Sequence, residues 1–421
     1  MRLLDVKRET LYAYVSRGLL ESVPAPRGRA RRYSLSDLRR LRGRRDARRG
    51  HTAVAATALD WGAPVLDSAI TRIDSAGPHY RGRSALELAR RGVPFEAVAE
   101  WLWRGGTSGA GTEALAAAEP PERAASSGSA PGPPPAALRA AAGRVQSVLP
   151  SEARPLQALQ TLLSLACAGD LDRHLAGGDV ELARARALQR AMAAALSHGR
   201  GARPVRTSSG ERVAEIAAHA LGARDRAQAT QAIDQMLVLS ADHELNMSTF
   251  VVRVTASAGA DLYACLTAGL CALGGRWHGG MCDRVEAMVA ACGDPRRARQ
   301  VVRERAASGE AIVGFGHPLY PEGDPRGRFL LQRAREIGRG RPVIKTMIAI
   351  ADLMQQTGYP GPTTDFGLVA VCAALALPPG SATALFALGR TAGWVAHALE
   401  QRNARVLLRP RARYLGDPQQ A

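Results

Sequence analysis

Aromatic side chains are scarce in this chain, at 5% of 421 residues, and the 46% apolar fraction is dominated by alanine and leucine. That balance disfavours a sheet-built fold and favours helices. Lysine is nearly missing, occurring only at Lys7 and Lys345, so almost all positive charge is guanidinium. The six cysteines, Cys167, Cys265, Cys271, Cys282, Cys292 and Cys372, form no CxxC pair and no Cys/His ligand spacing. A metal site and a disulfide framework are therefore not expected. Unbroken hydrophobic runs are lacking too. No apolar segment follows the N-terminus as in a secretion signal, Gly389 and the Pro378-Pro379-Gly380 turn break one apolar tract, and Asp261 breaks another. No membrane span is expected, and a reducing cytoplasm is the expected compartment.

What is present is enough chain to bury a large core in two or three domains. The net charge of +18 is uneven: residues 1–50 hold fifteen Lys/Arg against five Asp/Glu, a net of +10, which leaves +8 for all the rest. Within 1–50, Lys7–Leu20 has the spacing of a short helix ended by Gly18, and Pro26–Tyr33 (PRGRARRY) suits a basic β-hairpin wing. Ser34 and Asp37 then open a second helix as N-cap and N3 partner. Helix, basic wing, helix resembles the winged helix-turn-helix of MerR and excisionase-type DNA-binding domains. The resemblance places Tyr12, Arg17, Arg27, Arg29, Arg31 and Arg32 near DNA phosphates, where arginine supplies affinity with little sequence information. Only Met1–Val6 precede the first helix, so the module reads as truncated. A basic solvated or RNA-binding appendage is the competing reading.

From Thr52 the composition becomes that of a globular domain. A turn-rich strand-like entry is followed by amphipathic helices over Ser84–Arg91 and Pro94–Trp103. Residues 107–135 are rich in Ala, Gly, Pro and Ser and read as a mobile loop. Residues 136–240 form successive helices, with His174, His198 and His219 taken as structural. No internal repeat is present.

The stretch Ala241–Met281 sets His243 and His278 at the two ends of a small-residue, nearly uncharged segment that reads as one or two buried helices. Histidine can donate or accept a proton near neutral pH, so such a pair suits acid/base work, with a cap or core role as the alternative. Charged helix over 283–308 leads to VGFGHPLYPEGDPRGR. Its Gly314, Gly316, Pro318, Pro321, Gly323 and Pro325 dictate a loop in which His317 and Arg326 are set. A Gly/Pro loop presenting His and Arg suits a small anion, since arginine can make two parallel bonds to a carboxylate. A purely structural loop would show the same glycines. Asp365 opens an apolar helix, where partial desolvation raises a carboxylate's proton affinity, or where it simply caps the helix. Arg390 lies among Leu385, Phe386, Leu388 and Trp394, and an arginine on such a face needs an anion. His397 beyond it reads as packing or capping, and Arg409 stands beside Pro410.

Taken in order, YRGRSALELA, FEAVAEWLW, DHELN, RWHGGM, GFGHPLY, DPR, TTDF, LGRTAGWVAH and RPRARYLG resemble the citrate synthase family from roughly Asp67 to Gly416. The resemblance implies a mainly α protein with large and small helical domains, residues 52–278 with 374–421 and residues 279–373, beside the helix-turn-helix-like module at 1–50. It implies condensation of an acyl-CoA with oxaloacetate by a homodimer that needs no further cofactor and no metal. By that likeness Asp365 takes a proton from the acyl group, His278 bonds the forming enol, and His317 polarises the ketone. His243, Arg326, Arg390 and the partner subunit's Arg409 hold the carboxylates, and Gly314, Phe315 and Gly316 lie along CoA.

Three positions depart from the family pattern. Cys282 and Thr363 stand where asparagine is frequent, and Pro318 follows His317. None removes a titrating group or a carboxylate-binding arginine. Acetyl-CoA giving citrate and propionyl-CoA giving 2-methylcitrate both fit, because one methylene is worth only about 1–3 kcal/mol in a pocket. A DNA-binding regulator that uses the same fold as a metabolite sensor is the reading from another class.

Overall fold

The computed structural model describes residues 66–105, 135–175, 178–197, 205, 210–310 and 312–410, together with Val15 and the strands Ser22–Pro24 and Arg31–Tyr33. The chain divides into two compact units, Met1–Ser68 with Arg409–Ala421, and Ala69–Leu408. In the first, β1 (Ser22–Pro24) pairs antiparallel with β2 (Arg31–Tyr33), Ser22 lying opposite Tyr33 and Pro24 opposite Arg31. Only β2 lies within Pro26–Tyr33, the run expected to form the basic wing; β1 precedes it. The flanking helices expected there, with Tyr12, Arg17, Arg27 and Arg29, lie outside the described residues, Val15 apart. So does the loop expected over 107–135, except for Pro135, which opens a helix.

The second unit opens with a three-stranded antiparallel sheet in the order β3 (Thr71–Asp74), β4 (Gly77–Tyr80), β5 (Arg83–Ser84). Tyr80, fully buried, donates its hydroxyl to the Val238 carbonyl at 2.9 Å and accepts from the Asp242 amide at 3.3 Å. The sheet is thereby pinned to the segment that carries His243. Ser84 accepts from the Glu87 amide and caps α1 (Ala85–Arg90), and α2 (Phe95–Arg104) follows Pro94, both as the apolar spacing predicts.

The remaining unit is helical: α3 (Pro135–Val148), α4 (Pro155–Gly169), α5 (Gly178–Ala195), α6 (Val213–Ala220) and α7 (Arg226–Ser240). Segment 241–281 resolves into two helices, α8 (Met247–Ser257) and α9 (Leu262–Leu273). Asn246 and Asp261 cap them by accepting from the Thr249 and Ala264 amides. His243 and His278 lie in the loops at their outer ends. Then come α10 (Gly280–Cys292), a 3-10 turn at Pro295–Arg297, α11 (Ala298–Ala307), α12 (Pro325–Ile337), α13 (Pro342–Gln356), α14 (Thr364–Leu375) and α15 (Ser381–Ala404). His174 and His219 are exposed, and His198 lies outside the described residues. Among the described residues no helix is long and apolar enough to cross a membrane.

Helix α15 is the axis of this unit. It is buried from Ser381 to Ala398 and packs on α2, α4, α5, α7, α8, α9, α10 and α14. Burial of Leu385, Leu388 and Val395 contributes about 1.5–3 kcal/mol each. Gly393 lets the helix touch the loop before His243: a Cβ there would fall 2.2 Å from Asp242 Oδ1, and its amide donates to the Ala241 carbonyl at 2.8 Å. Helices α12 and α14 pack on one another more extensively than any other pair. A Cβ on Gly327 would come 2.3 Å from the Thr363 carbonyl, so glycine is what allows the two helix starts to converge. Arg326 and Asp365 stand in those first turns.

Candidate active site

Arg326 is in the first turn of α12, not in the preceding loop as the glycine and proline spacing suggests. Asp324 is the N-cap and Pro325 takes the first helical position. A cap residue followed by proline is a helix-start signature, and the run of loop-forming residues before it hides the boundary. Asp324, 1% exposed, accepts from Arg326 Nε at 3.1 Å and Nη2 at 2.7 Å, and from Thr364 Oγ1 at 2.7 Å. Burial opposes the Arg326 charge, but the paired carboxylate outweighs it and holds the guanidinium above its usual pKa.

Arg390 is committed differently. It is 1% exposed, its Nε donates to the Ser240 carbonyl at 2.8 Å, and its Nη1 is buried with no hydrogen-bond partner among the described residues. Its guanidinium lies 4.9 Å from the centre of the Phe386 ring, and His278 meets the same ring edge-on at 5.9 Å. Burial lowers its pKa to about 10, with Asp242 pulling the other way, so it stays charged at neutral pH.

The three predicted histidines gather against these cations. His243 Nε2 is 2.9 Å from Tyr320 Oη, and its ring lies 5.5 Å from that of His317 in a T-shaped arrangement. Tyr320, 2% exposed, is also 5.8 Å from the Arg326 guanidinium. His317 Nδ1 accepts from the Leu319 amide at 3.2 Å, which leaves Nε2 to carry the proton of the neutral ring. His278 Nε2 is 2.8 Å from Ser248 Oγ. Burial lowers all three: His243 well below its usual value with help from Arg326 and Arg390, His278 to about 3 with help from Arg390, and His317 to about 4 with help from Arg326. All are neutral imidazoles at physiological pH.

Asp365 completes the group from the first turn of α14, whose N-cap is Thr363. Burial pushes its carboxyl up to about 6, against the pull of a hydrogen bond from Cys282 and the charge of Arg326. Cys282 Sγ donates to Oδ1 at 3.5 Å and Thr363 Oγ1 to Oδ2 at 3.4 Å. The two substituted positions thus sit directly on this carboxylate. Gly314 and Gly316 have φ of +88° and +75°, a region other residues enter only with strain. Their loop is laced to the approach of Asp365: the Thr363 amide donates to the Gly314 carbonyl at 2.9 Å, and Phe315 bridges Pro362. Pro318 is exposed.

Six of the seven polar sites thus form one cluster, with His243, Arg326 and Arg390 buried and His278, His317 and Asp365 half-buried, and Arg409 is an exposed residue of the other unit. Tyr320, Asp324 and Ser248 went unmarked in the sequence; Tyr320 and Asp324 stand in the GFGHPLY and DPR motifs beside His317 and Arg326, and only Ser248 is brought to its histidine by folding alone. His397 is packed, as expected, and has polar partners besides: fully buried, its Nε2 is 3.4 Å from Asp242 Oδ2 and its Nδ1 3.5 Å from Arg253 Nη1. Among the described residues no group of three or more His, Cys, Asp or Glu is placed to hold a metal ion.

Neutral hydrogen-bond donors, a carboxylate of raised basicity and two buried guanidinium groups are equipment for abstracting a carbon-bound proton beside a bound carboxylate. The family model described as citrate synthase, C-terminal domain, matches residues 58–411. Citrate synthase 2 of Bacillus subtilis is 32% identical over 274 residues, covering 63% of this chain and 74% of that protein. The 2-methylcitrate synthase of Mycobacterium tuberculosis is 30% identical over 351 residues, covering 81% and 85%. Among solved structures, the ternary complex of Thermoplasma acidophilum citrate synthase with carboxymethyl coenzyme A and oxaloacetate superposes with a TM-score of 0.67 at 22% identity, over 84% of this chain and 94% of that one. The chain belongs to the citrate synthase family and is an acyltransferase of that type.

Proposed function

We propose that this enzyme condenses acetyl-CoA with oxaloacetate to give citrate and CoA. The observation that carries the reading is the orphaned Nη1 of Arg390, a buried guanidinium nitrogen on a residue whose charge acts on His243 and His278, which a substrate carboxylate would satisfy. Arg326 and His243 hold the oxaloacetate carboxylates with it. The partner subunit's Arg409 adds a further contact in a homodimer. Asp365 removes a proton from the carbon next to the thioester, and His278 hydrogen-bonds the enol oxygen. The enol carbon then attacks the oxaloacetate ketone, which the Nε2–H of His317 polarises. Water cleaves the resulting thioester and releases CoA. Gly314, Phe315 and Gly316 line the CoA side.

His243 and Arg390 come from the segments assigned to a large domain, 52–278 and 374–421, and His317, Arg326 and Asp365 from a small domain, 279–373. Closure of one on the other would desolvate the reacting groups. The ligand pair in the Thermoplasma acidophilum complex, a CoA derivative with oxaloacetate, is consistent with these roles.

A second reading has its own support in the 2-methylcitrate synthase relative, which aligns over 81% of the chain. Propionyl-CoA would then be the donor. Product analysis by mass spectrometry with equal acetyl-CoA and propionyl-CoA in competition decides between them, since the ratio of citrate to 2-methylcitrate reports the ratio of kcat/KM. A DNA role for residues 1–50 rests on the β1–β2 pair and its arginines, and a salt-dependent gel shift with duplex DNA tests it.

A further inference from the structure

Two side chains from different elements reach the two oxygens of one carboxylate. Cys282, in the first turn of α10 and fully buried, points its thiol at Asp365 Oδ1, while Thr363, ahead of α14, turns its hydroxyl to Oδ2. We propose that Cys282 is a positioning residue that holds Oδ1 of the Asp365 carboxylate through a weak thiol donor, opposite the Thr363 hydroxyl on Oδ2, and so keeps it a strong base. The proposal rests on Asp365 being the proton acceptor of the reaction.

Donor strength sets the thiol apart. A thiol is among the weakest hydrogen-bond donors a side chain can offer, so it orients an oxygen while stabilising its charge only a little. An amide or hydroxyl in its place would stabilise the carboxylate more and weaken it as a base, and no donor at all would leave Oδ1 unheld. The thiol is also kept protonated. Burial, then Asp365, Cys372 and Glu286, push it well above its usual range, so it stays a donor and never competes for the proton. The other charged groups reaching Asp365 are Arg326 and Asp324 of α12 and Arg390 of α15. None of them is altered by a change at Cys282, so a shift in Asp365 reports the thiol.

The test is titration of the Asp365 carboxyl by carbon-13 NMR, assigned through its loss in Asp365→Asn, in wild type, Cys282→Ala and Cys282→Ser. Thr363→Val serves as a second, isosteric probe of the other oxygen. Relative to wild type, the midpoint is expected to rise in Cys282→Ala and Thr363→Val and to fall in Cys282→Ser, by on the order of half a pH unit or more each. The acid limb of kcat should move in the same order, with the KM for oxaloacetate within about twofold of wild type. Midpoints that coincide in all four proteins, or that move in one direction whatever the donor, overturn the proposal. Wild type that titrates as expected but releases no CoA overturns instead the assignment of the reaction.

Discussion

Arg390 and Ser240 are joined by one hydrogen bond, from the arginine Nε to the backbone carbonyl at 2.8 Å, and that bond fixes the guanidinium where its Nη1 meets no other described residue. Arg326, by contrast, is met by both oxygens of Asp324. One buried arginine is held by both oxygens of a carboxylate within the fold, and the other feels the Asp242 charge but keeps one nitrogen without a hydrogen bond. A buried donor without a partner costs stability, and here that cost coincides with the place where an anionic substrate is expected.

Arg390→Met should therefore separate binding from stability. Calorimetric titration is expected to show oxaloacetate binding weakened on the order of 100-fold, the loss of a charge-assisted contact. The thermal midpoint is expected to hold or rise. A midpoint that collapses while binding survives would make Arg390 a structural residue.

Asp365→Asn should stabilise the protein in a pH-dependent way. The carboxyl is held at about 6 in the fold against 3.8 for the free group. Between those values the folded chain keeps a proton the unfolded chain has lost, so stability falls as pH rises through that window. Above it the folded state carries the whole cost of the buried charge. Thermal scans should place Asp365→Asn a few degrees above wild type at pH 7.5, with the gap closed near pH 4. A gap independent of pH would contradict the raised carboxyl.

Neutral histidines are a separate expectation. His317 is held at about 4 and His278 at about 3, so nitrogen-15 NMR should find both uncharged at pH 5.5, with the His317 proton on Nε2. An imidazolium at His317 under those conditions would rule out the ring that accepts from the Leu319 amide through Nδ1.

Ser248→Ala should slow chemistry without loosening oxaloacetate. Ser248 Oγ is 2.8 Å from both His278 Nε2 and Asn246 Oδ1, and it accepts from Trp394 Nε1 at 3.3 Å. Ser248 donates its one proton to Asn246 Oδ1, so it accepts from His278 Nε2–H and fixes the face that the imidazole presents to the enol. Loss of that bond is expected to lower kcat about 10-fold or more, as for other residues that orient a catalytic imidazole. An unchanged kcat would remove Ser248 from the account.

Much of this site could be read from the chain because its chemistry is concentrated in a few unusual local contexts. An arginine inside Leu385, Phe386, Leu388 and Trp394, two histidines bracketing a nearly uncharged helical pair, and a histidine in a loop of glycines and prolines all break local rules, and rule-breaking residues mark function. The two buried helices of 241–281 followed from periodicity in the same way. What could not be read is what folding alone brings together. Tyr320 looks like any loop tyrosine until its hydroxyl meets His243, and Cys282 like any core cysteine until α10 lays it against Asp365. The boundary at Arg326 was readable, through Asp324 and Pro325, but the preceding loop residues masked it.

The central claim is that Asp365 and its histidines carry out a citrate synthase condensation, and CoA thiol release from acetyl-CoA or propionyl-CoA with oxaloacetate tests it most directly. Wild type should release thiol with at least one donor only when oxaloacetate is present, with an acid limb near pH 6, and Asp365→Asn should release none while still binding oxaloacetate. Folded wild-type protein that releases no thiol with either donor, or an Asp365→Asn variant that turns over like wild type, would contradict it.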